Sequence, residues 1–95
     1  MWPWEETPQS IAHGILDDET YDWLAVVRGM VECDAFPVVA TEARLREAHR
    51  LGREGTAIAA DPTGTAGLAG LLELRESGVV AADERVAVLF TGVER

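Results

Sequence analysis

The stretch Val86–Phe90 constrains the fold most, because it is five apolar residues long and has no polar residue at alternate positions. A strand with one face in solvent alternates apolar and polar residues, whereas a strand that is apolar throughout is typical of a sheet buried on both faces. Two other short runs have the same character. Phe36–Ala40 carries Pro37 near its start, which fits a strand beginning or a sheet edge, and Thr56–Ala60 is short and apolar.

The segments that precede these runs predict helices. Apolar residues at helical spacing predict a first helix over 18–32, with an acidic start that favours the positive end of the helix dipole. A second helix is predicted over 42–53, with Thr41 as its N-cap and an i, i+4 ion pair between Glu42 and Arg46.

A third helix is predicted to begin at Asp61 as N-cap, with Pro62 in the first helical position, and to end at Gly78. Its first turns, Asp61–Gly70, contain mainly small residues. Two interpretations of this pattern remain open. The free N–H groups of the helix start could bind an anion, or the small residues could allow a neighbouring element to pack closely.

This order of helices and apolar runs predicts an α/β fold, in which two or three strands form a small, incomplete parallel sheet with three helices. We expect one such unit over 11–95, after a lead over 1–10 that is rich in Trp and Pro. A parallel sheet in a chain of 95 residues leaves one face bare, and Trp2 and Trp4 need a cover. The sequence therefore predicts a missing N-terminal portion or self-association.

The charge balance excludes several functions. The formal net charge is −9, and all eight basic residues are Arg, which disfavours nucleic acids and anionic membranes as partners. No apolar run approaches the ~20 residues of a membrane span, and the first residues do not resemble a signal peptide. With Cys33 as the single cysteine, a cytoplasmic location is expected. His13, His49 and Cys33 lack metal-ligand spacing, and no catalytic residue is predicted.

Four segments also resemble the sequence motifs of a known family and occur in the same order. Ser10–Ile15 is similar to its Thr-Ile-Ala-Asp-Gly-Ile, and Phe36–Ala48 to a strand followed by Val-Ser-Asp-Glu-Glu-Ile-x-x-Ala. Gly55–Ala69 is similar to Glu-Gly-Ile-x-x-Glu-Pro-Ser-Gly-Ala-x-x-Leu-Ala, and Val86–Gly92 to Val-Val-Val-Leu-Thr-Gly. Together they resemble the C-terminal part of the cofactor domain of fold type II pyridoxal-phosphate enzymes, which form the tryptophan synthase beta-like superfamily. The motifs are most similar to those of threonine-synthase-like members.

The resemblance implies roles for Thr91 and Gly92 as cofactor-binding residues. The hydroxyl at the position of Thr91 donates a hydrogen bond to the pyridine nitrogen of the cofactor, and Gly92 permits close approach. A neutral donor leaves that nitrogen largely unprotonated, which suits eliminations and replacements at the β or γ carbon of an amino acid.

The resemblance also implies a lysine that holds the cofactor as a Schiff base, and the sequence contains none. We therefore expect a fragment or split subunit of a threonine-synthase-like lyase. It would supply the wall against the pyridine ring, would be inactive alone, and would bind pyridoxal phosphate only when other polypeptide completes the site. An alternative is a non-catalytic, acidic α/β interaction module derived from that fold. A third possibility is a small binder of anions at Asp61–Gly67.

Overall fold

The computed structural model describes residues 8–16 and 22–93. In this part of the chain, three α-helices follow a single 3₁₀ turn at His13–Ile15. Helix α1 is Trp23–Cys33, helix α2 is Glu42–Gly55, and helix α3 is Ala66–Ser77. Helices α2 and α3 pack against each other and hold the core, whereas α1 contacts neither of them.

The predicted α/β class with a parallel sheet is wrong. The described residues form no strand, and their one β-type pairing is an isolated antiparallel bridge between Ala60 and Val93. Val39 is 91% exposed and Leu89 is 79% exposed, so the runs that contain them are not buried. Their apolar, β-branched composition does favour extended chain, but a sheet also requires neighbouring strands at hydrogen-bonding distance. Neither Phe36–Ala40 nor Val86–Phe90 finds such a neighbour among the described residues.

The core lies between α2 and α3 and consists of small side chains. Apolar residues recur along the inner face of α2 at the spacing that one helix face requires. The buried members of the cluster are Ala12, Leu45, Ala48 and Ala69, with Ile11, Ala40, Ala66, Leu68 and Leu72 packed around them. The largest fully buried side chain is that of Thr65, so the core offers little apolar area. Since apolar burial is the main stabilising term, we expect a small free energy of unfolding.

Arg44 joins the two core helices through carboxylates on both of them. Its Nε donates to Glu73 of α3 at 2.7 Å, and its Nη1 donates to Glu47 of α2 at 3.0 Å, while Nη2 pairs with Glu76. The hydrogen bond to Glu73, followed by the one to Glu47, raises the pKa of the Arg44 guanidinium. One cation therefore compensates acidic side chains that would otherwise repel one another across the helix pair.

Two predicted helix ends are confirmed. The Thr41 hydroxyl accepts the N–H of Arg44 at 3.2 Å, as an N-cap side chain does. Gly78 follows α3 with φ at 83°, the left-handed conformation that glycine adopts without strain.

The start of α3 differs from the prediction. Residues 62–65 form a turn, and the helix begins at Ala66 rather than at Pro62. Helix α1 begins at Trp23 rather than at residue 18, and Asp22 before it lies in the left-handed region with a φ of 55°. The predicted acidic start at residues 17–19 lies outside the described residues, as do Trp2 and Trp4.

Helix α1 contains no buried residue. Trp23 is 52% exposed and Val31 is 77% exposed, although both are large apolar side chains. Helices in globular proteins owe most of their stability to packing of an apolar face. The described part of the chain gives α1 no such packing against the other helices.

Candidate functional site

The best-defined polar structure near the predicted site is the turn that begins at Asp61. One carboxylate oxygen of Asp61 accepts the N–H of Gly64 at 2.7 Å, and its carbonyl accepts the N–H of Thr65 at 3.0 Å. The hydroxyl of Thr65, which is fully buried, lies 3.3 Å from the same carbonyl and 3.4 Å from that of Pro62. Asp61 therefore organises the turn before α3 instead of capping the helix itself.

Gly92 lies directly against this turn. The N–H of Asp61 donates to the Gly92 carbonyl at 3.1 Å, and the adjacent residues Ala60 and Val93 form the antiparallel bridge. A β-carbon added at Gly64 would lie 2.5 Å from both the nitrogen and the oxygen of Gly92. A β-carbon added at Gly92 would in turn overlap the Asp61 carboxylate. The structure thus brings together two segments that the sequence resemblance singled out separately.

The Phe90 ring packs against helix α2 and so holds the segment before Gly92 close to this helix. A β-carbon added at Gly52 of α2 would lie 3.2 Å from the Phe90 ring and 3.0 Å from the Thr65 methyl group. The absence of a side chain at Gly52 therefore creates the space in which the ring sits. This contact was not predicted, since a glycine inside a helix gives no signal about its partner.

Thr91 is exposed, between half-buried Phe90 and half-buried Gly92. Its hydroxyl makes no hydrogen bond to any other described residue. The hydroxyl is therefore accessible to a donor or acceptor from outside the described part of the chain. Of the two predicted cofactor-binding residues, Thr91 has the exposed side chain, and Gly92 holds the backbone against the Asp61 turn.

Residues 8–16 are tied to this region by two contacts that the sequence did not indicate. The N–H of Gly14 donates to the Thr63 hydroxyl at 2.9 Å. Glu42, which was predicted to pair with Arg46, accepts instead from the Ser10 hydroxyl at 2.8 Å and the Ile11 N–H at 2.5 Å. The hydrogen bond from Ile11, followed by that from Ser10, lowers the pKa of the Glu42 carboxyl. The positive charge of Arg46 lowers it by a smaller amount. Ser10–Ile15 thereby reaches both α2 and the Asp61 turn.

The residues present fit one part of a pyridoxal-phosphate site and not another. An exposed hydroxyl on a fixed backbone, as at Thr91, suits a hydrogen bond to a ring nitrogen. Attachment as a Schiff base through a side chain requires a lysine amine, and the sequence has no lysine. The turn at Asp61 is also unsuited to a phosphate, since the carboxylate already occupies the Gly64 N–H and adds a negative charge there.

Comparisons of the chain with protein-family models, with curated proteins and with solved structures find no match. Among residues 8–16 and 22–93, no three acidic, His or Cys side chains are grouped as metal ligands would be. No helix in the same part of the chain has both the length and the apolar character needed to cross a bilayer.

Proposed function

We propose that this chain contributes the pyridine-ring wall of a pyridoxal-phosphate site in a threonine-synthase-like lyase, and that another polypeptide contributes the lysine. The observation that carries the proposal is the contact between the Asp61–Gly64 turn and Gly92. The family resemblance rests on both of these segments, which are separated in the sequence, and their proximity supports a common role.

In this role, Thr91 and Gly92 act differently. The bound cofactor supplies the electron-accepting ring that such lyases use. The Thr91 hydroxyl would donate to the ring nitrogen and, being neutral, would leave that nitrogen without a proton. Gly92 would keep the backbone close to the turn at Asp61, which holds Thr91 at a fixed position. No residue of this chain is assigned a catalytic role.

Three features support the participation of another polypeptide. The sequence has no lysine, helix α1 is unburied, and the runs Phe36–Ala40 and Val86–Phe90 each carry a largely exposed apolar side chain, Val39 and Leu89. A reducing cytoplasm is the compartment we propose for the complex, since the chain has only one cysteine, Cys33, which is exposed and free.

The second candidate function is a non-catalytic, acidic interaction module. The same exposed apolar side chains favour it, because apolar patches of this kind mark protein–protein contact surfaces. The two functions differ in one chemical property of the partner, which either carries a cofactor-bearing lysine or does not.

The test is purification of the tagged chain from its own cells after borohydride reduction, which fixes the cofactor to the lysine that holds it. Mass spectrometry of the co-purifying polypeptides should then find one partner in stoichiometric amount, with a pyridoxyl group on a lysine. A stoichiometric partner without that modification would replace the cofactor proposal by the interaction module, and a chain without any partner would contradict both.

A further inference from the structure

Residues 86–93, which we call the strap, contact both core helices, and they do so at a glycine of each. A β-carbon added at Gly67 of α3 would lie 3.4 Å from the Val88 side chain, and one added at Gly52 of α2 would lie 3.2 Å from the Phe90 ring. Val88 and Phe90 are the partly buried side chains of the strap. The strap therefore lies where the two helices have no side chain of their own.

A third contact of the same kind follows two residues further along the strap. Gly92 lies against Gly64 in the turn before α3, where an added β-carbon would be 2.5 Å from the Gly92 nitrogen. The residues between the three contacts are exposed, Leu89 to 79% and Thr91 as well. Side chains that alternate in this way belong to an extended chain. One face of the strap is thus in contact with the fold, and the other is in solvent.

Few backbone hydrogen bonds hold the strap in place. From residue 86 to residue 90, no backbone N–H or carbonyl is bonded to another described residue. The backbone bonds lie at the far end, where the Asp61 N–H donates to the Gly92 carbonyl at 3.1 Å and Val93 forms a bridge with Ala60. Over most of its length the strap is therefore attached through side chains, and it can leave without breaking a ladder of hydrogen bonds.

The structure on either side of the strap is complete without it. The buried cluster between α2 and α3, with the side chains packed around it, includes no residue of the strap. The turn before the strap closes on itself: the Ala81 N–H donates to the Glu84 carboxylate at 2.7 Å, and the Glu84 N–H donates to the Ala81 carbonyl at 3.2 Å. Movement of the strap after residue 84 leaves both the core cluster and this turn intact.

We propose that the strap is a conformational switch, which opens and closes as one unit on an α2–α3 core that stays folded. Segments with few buried contacts and few backbone bonds open at a lower free energy than the whole domain. Thr91 lies between two contact residues, Phe90 and Gly92, so closure fixes the position of its hydroxyl and opening removes it. The inference goes beyond the proposed cofactor function and does not rest on it, because the opening is a property of this chain alone.

The test is native-state hydrogen exchange of the whole chain, measured by NMR without cofactor or partner. The Asp61 amide is bonded to the Gly92 carbonyl, so it exchanges when the strap opens. The amide of buried Ala48, in the middle of α2, exchanges when the helix pair unfolds. We expect the Asp61 amide to be protected, but roughly tenfold or more less than the Ala48 amide. Low concentrations of urea should reduce the protection of Ala48 steeply and that of Asp61 little, since opening the strap exposes little surface.

Two variants show whether the strap opens as one unit. Phe90→Ala removes the ring beside Gly52 and should speed exchange of the Asp61 amide by roughly tenfold, or to the rate of an unprotected amide. Val88→Ala, at the contact with α3, should speed it by roughly threefold or more, although Val88 is four residues from Gly92. Both variants should keep the helical circular dichroism of the wild type, because the core cluster contains neither side chain.

The matched control is Leu89→Ala, which shortens an exposed apolar side chain of the same strap. Exchange of the Asp61 amide should stay within about twofold of the wild-type rate. The proposal is overturned by an unprotected Asp61 amide in the wild type, by an Asp61 amide with the protection and urea dependence of Ala48, by loss of helix in Phe90→Ala, or by equal effects of Phe90→Ala and Leu89→Ala. None of these results depends on whether a cofactor binds, so the switch and the cofactor function fail separately.

Discussion

Gly64 and Gly92 approach each other so closely that neither position has room for a β-carbon. At Gly64 the obstruction is the backbone nitrogen and oxygen of Gly92, each 2.5 Å from the position a β-carbon would take. Backbone atoms cannot rotate away as a flexible side chain can. The contact therefore requires glycine at both positions for steric reasons, and neither residue has a positive φ angle.

We predict that Gly64→Ala destabilises the chain by ~1–3 kcal/mol, the usual cost of inserting a methyl group into a close contact. Urea unfolding measures the change in the free energy of unfolding. The matched control is Gly29→Ala in helix α1, where nothing lies within 4 Å of the added carbon. That variant should be neutral or more stable by up to ~1 kcal/mol, since alanine is the better helix former. Equal effects at the two positions would contradict the close contact.

The second prediction concerns the Glu42 carboxylate, which anchors residues 8–16 to α2. Hydrogen bonds from Ile11 and Ser10 lower its pKa in the folded chain. A carboxyl with a lowered folded pKa contributes stability above its unfolded pKa of ~4.3, and this contribution is lost as pH falls through the folded value. Thermal unfolding should therefore show a loss of wild-type stability below about pH 4 that Glu42→Gln lacks. Glu42→Ala, which removes the carboxylate without leaving an amide acceptor, should lack the same loss, and a variant that keeps the wild-type loss would contradict the anchoring role of Glu42.

The third prediction concerns Arg44, which bonds Glu73 and Glu47 and pairs with Glu76. Arg44→Ala leaves acidic side chains of α2 and α3 without their shared cation, and the melting temperature should fall. Arg50→Ala removes an exposed pair with Glu54 inside α2 alone and should change the melting temperature less. An equal fall for the two variants would mean that the link between the helices adds nothing.

The fourth prediction concerns attachment of the cofactor. Incubation of the purified chain with pyridoxal phosphate and reduction with borohydride should modify no side chain, because the sequence has no lysine. Peptide mapping should find a pyridoxyl group, if any, at the α-amine of the polypeptide. A pyridoxylated side chain would contradict the division of the site between two polypeptides.

The fifth prediction concerns Thr91 in the complex with the lysine-bearing partner. Thr91→Ser keeps the hydroxyl and should retain activity, while Thr91→Val removes the donor and should lower cofactor affinity by up to about tenfold, the equivalent of one hydrogen bond. Thr91→Asp should hold the ring nitrogen protonated and alter the absorption spectrum of the bound cofactor. Thr91 is exposed, so all three variants should unfold within ~0.5 kcal/mol of wild type. Wild-type affinity and spectrum in all three would remove Thr91 from the site.

The sequence by itself determined the features that depend on neighbouring residues. Helix α2 was predicted with its N-cap at Thr41, and the end of α3 at Gly78, because capping and glycine geometry act within one helical turn. The apolar character of Val86–Phe90 was also evident, as was the absence of a lysine for a cofactor bond.

Only the tertiary structure decided what these segments contact. The strands predicted at Phe36–Ala40 and Val86–Phe90 do not form, because a strand exists only with a partner and local composition cannot supply one. Glu42 reaches Ser10 and Ile11 rather than Arg46, since two donors brought close by the fold compete with the exposed neighbour one helical turn away. The approach of Gly92 to the Asp61 turn likewise depends on the path of the chain after α3, which no pattern in either segment specifies.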